Sequence, residues 1–81
     1  MYKILHIPTG SYYTFMGYID IPTFSDRYDY SKEFKNNKDS IFKISSILNY
    51  CKNNPAYFLI NDTLETMLIL ENELAIIEIK I

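Results

Sequence analysis

Ser40-Ile41-Phe42-Lys43-Ile44-Ser45-Ser46-Ile47-Leu48-Asn49-Tyr50-Cys51 is the stretch whose reading decides the fold, because its apolar residues recur at helical spacing. Ile41, Ile44, Leu48 and Cys51 follow at offsets of three, four and three, and Ile47 widens the stripe. Lys43, Ser46 and Asn49 fall on the opposite, solvent-facing side. Ser40, preceded by Asp39, supplies a hydroxyl suited to capping the first turn. The helix should end at Asn53-Asn54, since Pro55 disfavours α geometry in the residue before it and asparagine tolerates a left-handed cap. Lys52 in the last turn complements the helix dipole.

The segments around this helix are β-prone. Residues 2–7 mix aromatic and β-branched side chains and stop at Pro8-Thr9-Gly10, a strand running into a turn. Residues 11–16, continued through a bulge at Gly17 into residues 18–21, read as a return strand paired antiparallel to the first. Beyond the helix, residues 57–60 and 66–70 read as strands joined by a turn at 61–63. Glu71-Asn72-Glu73 then turns the chain into a last strand over 74–81. There Ile77, Ile79 and Ile81 share one face, with Glu78 and Lys80 on the other. A helix over 62–70 competes with the middle strand, because Leu64, Met67 and Leu68 also fit helical spacing and Thr63 can cap it. The expectation is one α+β domain of 81 residues: a small, mostly antiparallel sheet made of an amino-terminal hairpin and a carboxy-terminal meander, with one amphipathic helix packed on it.

Composition excludes several classes of function. The longest apolar stretches are five and four residues, far short of a membrane span, and the start has neither the apolar core nor the small-residue cleavage site of a secretory signal. With a single cysteine, Cys51, and a single histidine, His6, neither an internal disulfide nor a four-ligand Cys/His zinc site can be assembled. The expectation is a cytoplasmic chain with a reduced thiol and no metal or cofactor. Catalytic residues are not expected either: Cys51 lies on the inward helix stripe, His6 lies in the first strand, and neither has a partner in sequence. Asp20, Asp26 and Asp29 cluster but lack the ligand ladder of a calcium loop, and Gly10 and Gly17 do not make a phosphate loop.

Residues 22–39 make eighteen positions without clear periodicity, and long loops of that kind tend to carry function. Thirteen residues are aromatic, and Tyr12, Tyr13, Phe15, Tyr18, Phe24, Tyr28 and Tyr30 fall within nineteen positions. Since strands alternate, some of these rings must point outward, and exposed tyrosine offers stiff contact area with a polar tip. Tyr12, Tyr13, Phe24, Asp26, Arg27, Tyr28, Asp29 and Tyr30 are therefore the expected partner-binding residues. The competing reading fills the interior with tyrosine through codon bias. Ile, Tyr, Lys, Asn and Phe make 40 of the 81 residues, and all five have codons built solely from A and T, which points to an AT-rich genome.

Two further binding modes are open. Lys32, Lys35, Lys38 and Lys43 interleave with Tyr28, Tyr30, Phe34 and Phe42 as single-stranded nucleic acid would require, but acidic residues sit among them and the sequence pI of about 5.2 opposes a phosphate footprint. Ile77, Ile79 and Ile81 could close a sheet edge in a homo-oligomer. Residues 61–81 carry one basic and five acidic groups, a surface that either meets a basic partner or guards a strand edge.

The opening Tyr2-Lys3-Ile4-Leu5-His6-Ile7-Pro8-Thr9-Gly10, with Tyr12-Tyr13 after it, resembles the start of small uncharacterised phage-encoded proteins. These begin with a strand, a His-x-Pro-Thr-Gly turn and a tyrosine-bearing return strand. The resemblance covers about thirteen residues. It implies a hairpin and a viral or mobile-element accessory protein, with no activity attached. Together these readings predict a noncatalytic interaction module that binds and inhibits a host protein, such as a defence or nucleic-acid-processing enzyme.

Overall fold

The computed structural model describes residues 1–14, 22–54, 59–60 and 69–80. β1 (Tyr2–His6) and β2 (Ser11–Thr14) form the expected hairpin, in antiparallel register Leu5↔Tyr12 and His6↔Ser11. Gly10 closes the turn at φ 72°, a conformation strained for any side chain, and its N–H donates to the His6 carbonyl at 2.9 Å. β3 (Thr23–Ser25) pairs antiparallel with β2, β4 (Leu59–Ile60) lies parallel to β3, and β5 (Leu74–Glu78) lies antiparallel to β1. The sheet order is β4-β3-β2-β1-β5.

Strand alternation divides the sheet into two unlike faces. On the front, Ile4, Tyr13 and Phe24 meet Ile44, Ile47 and Cys51 of α1 (Lys38–Asn53), and Phe34 and Ile69 complete this buried core. On the back are Lys3, Thr14, Thr23 and Ser25, all buried and all polar. The fold class is α+β: among the described residues, a mostly antiparallel sheet with one α-helix packed on it, as the patterning predicts.

Three elements differ from the sequence reading: the helix in its caps and buried face, the carboxy-terminal half, and the segment 22–39. The helix is capped by Asn37, whose Oδ1 accepts the Ser40 N–H at 2.8 Å, and not by the Ser40 hydroxyl. Its stripe is also narrower than expected, since Ile41 is 53% exposed. It does stop at Asn53, although Asn54 caps it from φ −131° and not from the left-handed region.

The described strands of the carboxy-terminal half do not form a meander. β4 and β5 lie at opposite edges with three strands between them, so they cannot both flank one middle strand. Ile69 and Leu70, the described end of the expected strand at 66–70, lie outside any strand and lead into a 3-10 turn at Glu71–Glu73. Short apolar runs carry no information about their neighbours; here the pairing is set by which strands share the core, and β5 docks on β1. Residues 15–21, with the Gly17 bulge, and 61–68, with the competing helix, lie outside the described residues, as do Tyr57 and Phe58.

The third difference is the segment 22–39. Its first part is β3, too short to show a period. Its middle is a 3-10 turn at Tyr28–Tyr30, and residues 31–34 run extended as a wedge between β1 and β2. The β1–β2 register stops at Leu5↔Tyr12. Beyond that point Tyr2 exchanges both backbone hydrogen bonds with Phe34, each at 2.8 Å, and the Tyr13 carbonyl accepts from Lys32 N–H at 2.8 Å. The wedge satisfies backbone groups that the diverging strands would leave unpaired, and it delivers the Phe34 ring to the core.

Candidate protein-binding surface

The back of the sheet holds most of the partner-binding candidates, and they assemble around a lysine. Lys3 is 2% exposed. Strand alternation puts it on the same side as Leu5 and Tyr12, and the turn at Tyr28–Tyr30 folds over it. Its ammonium lies 3.5 Å from the centre of the Tyr28 ring and 6.0 Å from that of Tyr12. It donates to Ser31 Oγ and lies 3.7 Å from Glu33 Oε1. An enclosed cation without partners would cost several kcal/mol. Here an aromatic face, a hydroxyl and a carboxylate replace the lost water, and a desolvated cation–π contact is among the stronger of its kind.

The lysine thereby fixes the outer rings. Tyr12 and Tyr28 meet edge to face, their centroids 5.7 Å apart and their planes at 90°. The Arg27 guanidinium stacks 4.3 Å from the centre of the Tyr30 ring and pairs with Asp29 at 3.6 Å. The backbone beneath is held as well: Thr14 Oγ1 donates to the Tyr30 carbonyl, Ser31 Oγ to the Tyr28 carbonyl, and Arg27 N–H to Ser25 Oγ. Tyr28 and Tyr30 remain 53% and 46% exposed, Tyr12 is half-buried, and Asp26, Arg27 and Asp29 are exposed.

Two of the expected residues lie elsewhere. Tyr13 and Phe24 are buried on the front face, meeting edge to face at 5.9 Å with planes at 77°, because each occupies the alternate strand position that points toward α1. Burial and the neighbouring Cys51 push the Tyr13 phenol above its ordinary value. Lys3 was not among the expected residues. The signal that could have found it is its place on the Leu5 side of a strand whose return partner presents Tyr12.

The remaining candidates sit apart. His6 is wholly buried, with Nδ1 2.7 Å from Thr9 Oγ1 and Nε2 3.7 Å from Glu73 Oε1. Cys51 is 1% exposed, and burial pushes its thiol up to about 11, far from the thiolate a nucleophile needs. Asp20 lies outside the described residues, and no group of three metal-ligating side chains occurs among the described ones. Lys32 and Lys43 approach each other, which, after burial, lowers the Lys32 pKa; Lys35 and Lys38 are exposed. Ile77 and Ile79 are half-buried and Ile81 lies outside the described residues. No described helix is long and apolar enough to cross a membrane. Comparison with protein-family models, curated proteins and solved structures found no match.

Proposed function

We propose that this chain is a noncatalytic protein-interaction module whose contact surface is Tyr12, Arg27, Tyr28, Asp29 and Tyr30, with Asp26 at its margin. The observation that carries this reading is that Tyr28 and Tyr30 are half exposed and nonetheless held, one by Lys3 and Tyr12, the other by Arg27. Binding normally costs side-chain order at the interface, and rings already fixed avoid much of that cost. Tyrosine and arginine are also the residue types that dominate interface energetics. Asp29 beside Arg27 leaves both signs of charge on the rim, which suits selective recognition of a protein more than a phosphate backbone. The enclosed, proton-retaining Cys51 and the locally bonded His6 fit a chain that recognises and does not catalyse.

The partner class is drawn from the resemblance of the opening residues and from an amino-acid composition that favours A/T-only codons: an accessory protein of a phage or mobile element acting in the host cytoplasm, where it occludes a host protein. The test is a quantitative pull-down from host lysate with the intact chain and with Tyr28→Ala/Tyr30→Ala. Recovery of a specific partner should fall at least roughly tenfold in the double variant, as loss of two central aromatic anchors implies. Equal recovery of every protein would remove this surface from the proposal.

A further inference from the structure

β5 is an edge strand with its outer side open among the described residues. The Glu73 carbonyl accepts from Ile7 N–H at 3.0 Å and Ile79 N–H donates to the Met1 carbonyl at 2.8 Å. Odd-numbered residues of this strand therefore bond to β1, and Leu74, Ile76 and Glu78 direct their backbone groups outward. The Leu74 N–H is used by the Glu71 carbonyl. Edges are usually guarded by lysine, proline or a bulge, whereas the sequence of β5 is Leu-Ala-Ile-Ile-Glu. Beside this edge, between β5 and α1, runs an apolar groove of about 260 Å³ lined chiefly by Tyr2, Ile41, Ile44, Leu48 and Ile76. Ile41 and Ile76, which both line this groove, are 53% and 47% exposed.

We infer that a second copy of this chain covers this edge, its β5 running antiparallel to the first with Ile76 opposite Ile76. A two-fold axis normal to the sheet keeps front faces together, so facing residue numbers must sum to an even number, and outward-bonding residues must meet outward-bonding residues. Pairing about Ile76 meets both conditions, with Leu74, through its carbonyl, opposite Glu78 and Ala75 opposite Ile77. The groove-side Ile76 of each copy then packs on its equivalent at the mouth of both grooves.

Charge selects the same register. The turn before β5 holds Glu71 and Glu73, and Lys80 stands exposed at the other end. Pairing about Ile76 sets Lys80 opposite Asn72, between the two carboxylate-bearing residues of the other copy, and symmetry makes this contact twice. No acidic residue faces another. The surface does not use Tyr28 or Tyr30, so this inference and the proposed function fail separately.

Sedimentation equilibrium across a concentration series tests it. The intact chain should show a monomer–dimer equilibrium. Ile76→Lys should be monomeric with unchanged far-ultraviolet circular dichroism, since this side chain is half in solvent. Lys80→Glu should raise the dissociation constant from a few-fold to roughly tenfold, and adding Glu71→Lys should recover most of it. A chain that stays monomeric throughout, or a dimer whose dissociation constant Ile76→Lys leaves unchanged, overturns the inference.

Discussion

A lysine in a strand ordinarily carries its ammonium out to water along its aliphatic stem, and Lys3 does the opposite because the Tyr28 ring, Ser31 and Glu33 surround it where it stands. That choice turns a polar residue into the support of an exposed aromatic surface. The same attention to single groups settles the start of the helix. Both Asn37 and Ser40 are good capping residues, but only the Asn37 carboxamide accepts a backbone N–H of the first turn. Asn37→Ala should therefore lower stability by about 1 kcal/mol. Ser40→Ala should change it by less than about 0.5 kcal/mol. Urea denaturation of the two variants measures both, and equal losses would return the cap to Ser40. Local chemistry was legible here only to within a few residues, since two capping side chains three positions apart look alike until the backbone is placed.

The wedge at residues 31–34 is the least expected feature among the elements. It has no periodicity, and its Ser-Lys-Glu-Phe sequence reads as surface loop, yet it holds β1 and β2 apart and anchors them through Tyr2 and Tyr13. Phe34 is its fastening: 2% exposed, with its ring centroid 5.9 Å from that of Tyr13. Phe34→Ala should cost about 3–5 kcal/mol, the range for a buried aromatic in a core. Because the wedge continues into the turn that covers Lys3, hydrogen exchange should also quicken at the Tyr2 and Lys32 amides, which donate to and from this segment. Stability close to that of the intact chain would mean that the wedge rests on the sheet without supporting it. The hairpin and the helix, by contrast, were legible in advance: Pro8 and Gly10 act on their own neighbours, and the helical stripe repeats over several turns.

At the scale of the whole molecule, one apolar core joins the front of the sheet to α1 and encloses two weak acids, Tyr13 and Cys51, each held in its neutral form. Their folded-state pKa values are raised, so between the ordinary and the raised values the unfolded chain has released protons that the folded chain keeps. Stability then falls as pH rises. The loss should begin near the ordinary thiol value of 9.0 and continue to about 11 for Cys51, with Tyr13 adding to it above its ordinary 10.0. Urea midpoints measured between about pH 8 and about pH 11 should decline through this window, and Cys51→Val should flatten its lower part. A midpoint constant across the window would show that these groups are not enclosed together.

The chain's own residues determined what acts over a few positions: a helix from its apolar stripe, a hairpin from proline and glycine, alternating faces in the last strand. The order of the strands, the sorting of Tyr13 and Phe24 inward from Tyr28 and Tyr30 outward, and the enclosure of Lys3 were decided in the folded molecule alone. Lys3 and Ser31 stand 28 positions apart. Contacts at such separations depend on which surfaces pack together, and no local spacing of residue types encodes that.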